Sequence, residues 1–363
     1  MRKPLVAIDL FSGAGGLTVG LKQAGFKVVT GVEIEPHAFS TYKANHPEVH
    51  ALKQDVRTVT GKALLTIAGG SIDFLVGCPP CQGFSSLTSK WKKTDPRNEL
   101  VLDMARLVEE ITPRAVMMEN VPGLVDRGKP LFAEFVKRLE DADYRVTYGV
   151  LQLADYGVPQ NRRRLVLLAG RGFKIELPKP THSRTEADGL LPWCTVRDAI
   201  ARMPRPLTLD QANARGGPGQ HDWHVVRTLT ERNMNRLRAA RPGKQRFALP
   251  NAMRPDCHKD TEEGFGNVYG RMRWGRIAPT ITGGCTTLSK GRFGHPSRNT
   301  TISVREAATI QQFPDDYIFD CPYMDYVCNL VGNALPAGFA KIASAKCARA
   351  LRRHGASSKP IKR

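Results

Sequence analysis

The chain has 363 residues, of which 41% are hydrophobic and 24% charged, and these proportions exclude a disordered chain, a collagen-like repeat and a disulfide-dense miniprotein. Its charge is unusual, because 54 Lys and Arg residues against 34 Asp and Glu give a formal net charge of +20. Such an excess indicates a polyanionic partner, either a nucleic acid or an anionic membrane surface.

The positive charge is concentrated in the middle of the chain, where residues 181–300 carry 20 basic and 10 acidic side chains. The length predicts two domains. The apolar run near the N-terminus is interrupted by Asp9 and followed by glycines, so it predicts neither a signal peptide nor a membrane span. Eight scattered cysteines are typical of reduced thiols. We therefore expect a cytoplasmic protein.

Short apolar runs alternate with helix-period segments over the first 170 residues, which is the pattern of a parallel sheet covered by helices. The predicted strands are residues 5–11, 27–32, 72–77, 114–119 and 165–169. The predicted helices between them include residues 17–24, closed by Gly25, and residues 100–111. Residues 1–180 are therefore predicted to form a doubly wound α/β domain.

The pattern changes after residue 180, where the chain becomes rich in Arg, Asn, Gly and Pro and loses clear periodicity. Residues 181–277 predict a second, smaller, irregular domain with a helix only near residues 229–240. Residues 278–354 predict a return to the first domain, with Ser303 and Glu306 forming a capping box at the start of a helix and residues 337–351 forming the last helix. Residues 355–363 predict a frayed basic tail.

The first chemical motif is Asp9-Leu-Phe-Ser-Gly-Ala-Gly-Gly16, a strand followed by a glycine turn that opens a helix. Glycines let the backbone approach a ligand, and an acidic residue about 20 positions later binds ribose hydroxyls. Glu33 fits that role. Because Thr18 replaces the third glycine of the dinucleotide fingerprint, the motif favours a nucleoside cofactor other than NAD. A simple turn that binds nothing is the alternative.

The second motif, Gly77-Cys-Pro-Pro-Cys-Gln-Gly-Phe-Ser85, follows a predicted buried strand, where α/β folds place their ligand crevice. A Cys-x-x-Cys pair also occurs in redox dithiols and zinc sites. The prolines and Gly83 favour a loop over the helix that follows a redox dithiol, and no second cysteine pair completes a zinc site. We expect no metal, and a single nucleophilic thiol is the favoured interpretation.

A carboxyl group and an arginine cluster complete the candidate site. Glu119, in Met118-Glu-Asn-Val121, ends a predicted strand on the same sheet edge as Cys81, and burial there suits it to donate a proton. A strand-end salt bridge is the alternative. In Gln160-Asn-Arg-Arg-Arg-Leu165, Arg162 and Arg164 share one face by the period of a strand. They either pair with Glu119, hold phosphate or face solvent.

These motifs, followed by residues 305–317 (REAATIQQFPDDY) and Gly332-Asn-Ala-Leu-Pro336, resemble in their order the cytosine-5 DNA methyltransferases of bacteria. The resemblance implies a Rossmann-like class I methyltransferase fold with a smaller target-recognition domain. It also implies S-adenosyl-L-methionine as cofactor, double-stranded DNA as partner, and methyl transfer to carbon 5 of a flipped-out cytosine. The expected protein is a monomer that does not contact a membrane. A cognate restriction endonuclease that acts on the same DNA site, without direct contact, is a possible partner.

The resemblance also implies roles for individual residues. Cys81 resembles the nucleophile, Glu119 the group that contacts the base ring nitrogen, and Arg162 and Arg164 the supporting pair. The residues that resemble the cofactor pocket are Phe11, Gly13, Gly15, Glu33, Ile34, Asp55, Val56, Pro79, Leu100 and Asn333. Where the family most often has Val-Pro-Pro after Gly-Asn-Ala, this chain has Leu335-Pro336-Ala337.

Predicted DNA contacts fall in two basic segments. Residues 85–97 suit a lid that closes over phosphates, and residues 182–277 lie where the family keeps its target-recognition region. A solvated loop, and contacts to phosphates alone, are the respective alternatives. The predicted contacts are Ser85, Lys90, Lys92, Arg97, Arg236, Arg271 and Arg273.

Two other functions stay open. A tRNA cytosine-5 methyltransferase shares most of the motifs, and a catalytically silent DNA-binding regulator can have the same fold. The large basic segment favours DNA over tRNA, and the presence of both Cys81 and Glu119 favours catalysis.

Overall fold

The structure, a computed structural model, describes residues 3–80, 95–185, 189–260 and 266–355. The strands in chain order are β1 Leu5–Leu10, β2 Phe26–Val32, β3 His50–Leu52, β4 Phe74–Gly77, β5 Ala115–Asn120, β6 Tyr144–Gln152, β7 Arg163–Arg171, β8 His182–Ser183, β9 Leu191–Pro192, β10 Leu207–Thr208 and β11 Val225–Val226. The helices are α1 Gly16–Gln23, α2 Pro36–Asn45, α3 Gly61–Ala68, α4 Leu100–Ile111, α5 Gly123–Asp126, α6 Lys129–Asp141, α7 Val196–Ile200, α8 Leu209–Asn213, α9 Glu231–Ala239, α10 Val304–Ile310, α11 Met324–Asn333 and α12 Ala337–Arg353.

The chain divides into two compact units. Unit 1 comprises Met1–Gln152, Arg163–Lys179 and Ala337–Arg363, and unit 2 comprises Leu153–Arg162 and Pro180–Pro336. The longer segment of unit 2 begins at Pro180, and Leu153–Arg162, which lie inside the predicted first domain of residues 1–180, also belong to unit 2. Residues 278–336, which were predicted to return to the first domain, instead belong to unit 2, and only the last helix returns to unit 1.

Unit 1 is built on a seven-stranded sheet in the order β3-β2-β1-β4-β5-β7-β6. Strands β1 to β5 are parallel, whereas β7 is antiparallel to β5 and β6 antiparallel to β7. Strands β4 and β5 are buried along their whole length, as parallel strands covered on both faces must be. The predicted doubly wound α/β sheet is therefore confirmed.

Helix α4 shows why the sequence folds onto this sheet. Val101, Met104 and Val108 recur at helical spacing, and all three are fully buried in the core between helix and sheet. The predicted bounds of this helix, residues 100–111, agree with the structure.

Strand β1 marks the switch point of the sheet. From β1 the chain builds outward through β2 and β3 and then returns to β4 on the other side of β1. Ligands bind at the carboxyl ends of strands where the strand order reverses in this way. The glycine turn after β1 and the segment Cys78-Pro79-Pro80 after β4 both lie at this edge.

The last helix packs against the first helix within unit 1. A Cβ atom added to Gly20 of α1 would overlap the Cβ of Ala340 and lie 2.5 Å from the backbone nitrogen of Lys341 in α12. Arg114 adds a bond from its Nη2 to the carbonyl oxygen of Leu351, at 2.7 Å. The C-terminal helix thus supports the helix that follows the glycine turn.

Unit 2 consists of short elements connected by bonds from side chains to the backbone. Strands β8 and β9 form one parallel pair, and β10 and β11 another. Trp223 is buried, and its Nε1 donates to the carbonyl oxygen of Phe319 at 3.0 Å. Ser303 and Glu306 form the predicted capping box at the start of α10. No helix in the described part of the chain is long and apolar enough to cross a membrane.

We expect Gly20→Ala to lower the free energy of unfolding by about 1–3 kcal/mol, because the added methyl group separates α1 from α12. Chemical denaturation measures the change. In the control Gly219→Ala the new Cβ meets no atom within 4 Å, so we expect a change within about 0.5 kcal/mol. Equal effects of the two substitutions would contradict the close packing.

Candidate active site

The turn after β1 has an unusual backbone. Phe11, Gly13 and Gly15 have φ values of +55°, +54° and +89°. A positive φ is rare for a bulky residue such as Phe11 and costs about 1–3 kcal/mol, which the surrounding structure must offset. A Cβ at Gly13 would meet no atom within 4 Å, so open space lies beside the turn. The turn therefore has room for a ligand against its backbone.

The Glu33 carboxylate organises this turn from the end of β2. Its Oε2 accepts from the Gly13 nitrogen at 2.8 Å, and its Oε1 accepts from the nitrogens of Ile34 at 2.9 Å and Glu35 at 2.8 Å. Burial raises the pKa of Glu33 above its usual value. A carboxylate offers about four acceptor sites, so Oε2 keeps capacity for a further donor such as a ribose hydroxyl.

The other predicted cofactor residues of unit 1 differ in exposure. Ile34 follows Glu33 directly and is 56% exposed, which suits an apolar wall facing a ligand. Val56 lies in the hydrophobic core instead, and Leu100 is half-buried at the first residue of α4. Asp55 is paired with Arg57, and this bond lowers the pKa of its carboxyl group.

The segment after β4 is held from β5. Asn120 donates from Nδ2 to the carbonyl oxygen of Pro79 at 3.1 Å, while its Oδ1 accepts from the Val121 nitrogen at 2.7 Å. Burial raises the pKa of the Cys78 thiol well above its usual value, and the negative charge of Glu119 raises it further. Cys78 therefore stays protonated.

Glu119 is fixed by an ion pair. The Nε of Arg164 lies 2.7 Å from Oε1 of Glu119, and the two side chains are 14% and 7% exposed. Strands β5 and β7 are antiparallel, with Glu119 opposite Val166, which brings Arg164 onto the same side. Losing one partner of such a buried pair leaves an uncompensated charge, so the arginine and the carboxyl group depend on each other.

Arg162 has a different role from the predicted one. Strand β7 begins at Arg163, so Arg162 lies before the strand and does not share a strand face with Arg164. Arg162 is buried in unit 2 and donates to three carbonyl oxygens, those of Ile281 at 2.9 Å, Gly332 at 3.1 Å and Ala334 at 2.9 Å. It therefore fixes the backbone on both sides of Asn333, which is itself exposed at the end of α11.

Two predicted DNA contacts hold unit 2 together instead. Arg271 is buried, and every N–H of its guanidinium donates within the unit. The acceptors are the carbonyl oxygens of Leu237, Ala240, His295 and Arg298 and the Oδ1 of Asn299. Arg236 is also buried and donates to the Met253 carbonyl oxygen at 2.7 Å. We therefore remove Arg236 and Arg271 from the predicted DNA contacts.

The remaining predicted DNA contacts are exposed or lie outside the described residues. Arg273 is exposed. Arg97 is exposed too and pairs with Asp95 at 2.7 Å. Three predicted DNA contacts, Ser85, Lys90 and Lys92, lie outside the described ranges, as does the predicted nucleophile Cys81.

Sequence reasoning missed the buried carboxyl group of Asp9. It is fully buried in β1, and Thr18 donates to its Oδ2 at 2.7 Å. The signal was an acidic residue inside an apolar strand, at the first position of the glycine motif. Sequence reasoning also missed Asn120, although it stands directly beside Glu119 in its motif.

The fold and the sequence together assign the chain to a family. A switch-point sheet with a glycine turn and an acidic residue after β2 defines the class of Rossmann-like α/β proteins. Residues 5–349 match the family model of C-5 cytosine-specific DNA methylases. The chain is also 36% identical over 344 residues to the Type II methylase M.HgiDII of Herpetosiphon aurantiacus, which covers 92% of each chain. The chain therefore belongs to the C-5 cytosine-specific DNA methylase family.

Further relatives agree with this assignment. Identity to the Type II methyltransferase M1.HphI of Haemophilus parahaemolyticus is 34% over 325 residues, covering 87% of this chain and 79% of that one. The fold is similar to the crystal structure of the S. pombe Dnmt2 methyltransferase, with a TM-score of 0.65 and 18% identity over 97% of this chain and 99% of that one.

We expect Arg271→Met to lower the free energy of unfolding by about 3 kcal/mol or more, because it leaves several buried carbonyl oxygens without a donor. Thermal or urea unfolding measures the loss. Arg273→Met is the matched control at an exposed position, where we expect a change within about 0.5 kcal/mol. An Arg271 variant that unfolds like the wild type but loses DNA binding would restore the DNA-contact role.

Proposed function

We propose that the protein transfers a methyl group from S-adenosyl-L-methionine to carbon 5 of a flipped-out cytosine in a specific double-stranded DNA sequence. Cys81 is the proposed nucleophile and adds to carbon 6. The observation that carries the proposal is the buried Glu119–Arg164 ion pair beside the segment that leads to Cys81, at the sheet edge that also holds the glycine turn and Glu33.

The glycine turn suits the nucleoside part of the cofactor. The open position at Gly13 gives the ligand access to the backbone, and the remaining acceptor capacity of Glu33 suits a ribose hydroxyl. When bound, S-adenosyl-L-methionine supplies an electrophilic methyl group on a positively charged sulfur. The motif resemblance alone supports Asn333 as a further cofactor residue.

The chemistry of cytosine explains why a thiol and a carboxyl group are needed. Carbon 5 is a weak nucleophile, so a thiolate first adds to carbon 6 and turns the ring into an enamine. Glu119 takes up a proton from solvent and then stabilises or protonates ring nitrogen 3 through it as negative charge develops there, while Arg164 holds the carboxyl group in position. Carbon 5 then accepts the methyl group. Loss of the carbon 5 proton to a base restores the ring and releases the Cys81 thiolate.

The state of Cys78 supports the choice of Cys81. A nucleophilic cysteine must reach the thiolate form near neutral pH. Burial and the negative charge of Glu119 raise the pKa of Cys78 and keep it protonated, so Cys78 is unsuited to attack the base. Cys81 lies outside the described residues, and its role rests on the motif.

DNA is the proposed substrate because the chain carries a formal charge of +20 and its relatives are Type II methyltransferases. Contacts to phosphates release counterions, so binding should weaken steeply with salt. The proposed contacts are Ser85, Lys90, Lys92, Arg97 and Arg273. We further propose a monomer that acts in the cytoplasm, and a cognate restriction endonuclease that reads the same site without direct contact.

Bisulfite sequencing of DNA from cells that express the protein tests the proposal directly. We expect one cytosine within a short recurring sequence to resist conversion. DNA without protected cytosines, together with labelled methyl groups in tRNA, would overturn the proposal in favour of an RNA substrate.

We expect Cys81→Ser to abolish methyl transfer while cofactor and DNA binding persist, whereas Cys78→Ser keeps transfer within about tenfold of the wild type. DNA with 5-fluorocytosine should trap a covalent adduct, because carbon 5 then has no proton to lose. Mass spectrometry locates the adduct. Attachment to Cys78 would reverse the assignment of the nucleophile.

We expect Arg164→Met to slow methyl transfer by about 10²-fold or more, because the Glu119 carboxyl loses the partner that orients it. Single-turnover transfer of labelled methyl groups measures the rate, and calorimetry should show unchanged cofactor affinity. Arg163→Met is the matched control, since Arg163 is the exposed neighbour. Comparable losses in both variants would indicate a general effect on the strand.

A further inference from the structure

A carboxyl group lies in the strand that leads into the glycine turn, and no described residue places a positive charge beside it. Asp9 is fully buried in β1, opposite Gly31 of β2 and Val76 of β4. Its Oδ2 accepts from Thr18, and its Oδ1 has no hydrogen-bond partner among the described residues. Ionising a buried carboxyl group without a cation is costly, so burial favours the protonated form of Asp9.

The described polar and titratable side chains that face Asp9 come from α1, from the end of β2 and from the segment after β4. Helix α1 contributes Thr18, whose Oγ1 lies 2.9 Å from the hydroxyl of Tyr42 in α2. Glu33 at the end of β2 and Cys78 after β4 interact with Asp9 electrostatically. None of these groups is a cation. Burial raises the pKa of Asp9 to about 7, and the charge of Glu33 acts in the same direction.

The hydroxyl of Tyr42 is held firmly in this cluster. Tyr42 is fully buried, and a Cβ added to Gly31 would overlap its ring. Because the ring packs directly on the β2 backbone, the hydroxyl reaches Thr18, which in turn reaches Asp9. Asp9, Thr18 and Tyr42 thus form a buried chain of hydrogen-bonding groups at the switch point of the sheet.

We propose that Asp9 is a specificity-determining residue that loses its proton when a cationic ligand occupies the site at the glycine turn. The inference rests on the proposed function. The methyl donor carries a sulfonium charge, whereas its demethylated product carries a neutral thioether on the same nucleoside and amino acid. A nearby cation stabilises a carboxylate, so the donor releases the Asp9 proton to solvent and the product does so much less.

The linkage sets the sign of the pH dependence. The donor stabilises the carboxylate and lowers the pKa of Asp9, which in the free protein is about 7. Below that pH donor binding must expel a proton, so donor affinity rises with pH by up to about tenfold per unit. Above it the dependence disappears. Product affinity changes less, so the preference for donor over product grows as the pH rises towards neutrality.

Titration calorimetry of the whole protein with S-adenosylmethionine and with S-adenosylhomocysteine tests the proposal. Two buffers of different ionisation enthalpy report the protons released at each pH. Near pH 6.5 we expect the donor to release most of one proton and the product a small fraction. The donor-to-product affinity ratio should rise several-fold, up to about tenfold, per pH unit below neutrality. Equal proton release with both ligands, or release with neither, would overturn the proposal.

Two variants assign the proton to Asp9. Asp9→Asn keeps the size of the side chain and removes its titration, so proton release should vanish and the affinity ratio should become independent of pH. Release that persists would assign the proton to Glu33, which also faces the site and has a raised pKa. Tyr42→Phe keeps Asp9 but weakens the bonding that supports its carboxylate, so the pH profile should shift upward.

The variants also separate the inference from the proposed function. A thermal melt shows whether Asp9→Asn folds, and if it does not, an unshifted profile in Tyr42→Phe overturns the role of Asp9. Binding of neither ligand to the wild type would defeat the proposed function itself. Binding of both without different proton release would defeat only the role of Asp9.

Discussion

The site depends on three carboxyl groups that are buried or half-buried at one edge of the sheet. Asp9, Glu33 and Glu119 stand near the carboxyl ends of β1, β2 and β5, where Asp9 and Glu119 are buried and Glu33 is half-buried. Each buried charge has a desolvation cost that must be offset locally. This cost is offset in three ways: a raised pKa that favours the neutral form of Asp9, three backbone N–H donors at Glu33, and the Arg164 guanidinium at Glu119.

These three solutions give the carboxyl groups different chemistry. Glu33 is committed to shaping the turn and keeps little capacity beyond one ligand hydroxyl. Glu119 is held by a side chain from β7, so its direction is set by the antiparallel pairing of β5 and β7. Asp9 has no fixed cation and can still change its charge. The surroundings of each carboxyl group, rather than its residue type, therefore determine whether it binds a ligand, orients a reacting group or exchanges a proton.

The sequence predicted those parts whose signal is local. Apolar runs located most of the buried strands, and the capping box at Ser303 was readable from spacing. Strand β3 was missed because it has only three residues, and β6 because it is an edge strand with little buried surface. The roles of Arg162 and Arg271 could not be predicted from the sequence. Their partners are backbone carbonyl oxygens far away in the chain, and any residue type can supply such an oxygen.

The arginines of unit 2 also change the meaning of the positive charge. Five of them are buried within that unit: Arg162, Arg236, Arg246, Arg271 and Arg305. A unit with few long helices and strands leaves many carbonyl oxygens without a backbone donor, and the guanidinium group, which has several donors in a fixed plane, can satisfy them. Part of the basic excess of residues 181–300 therefore substitutes for regular secondary structure. The surface left for a polyanion is smaller than the charge count indicates, and exposed residues such as Arg273 define it better than the total does.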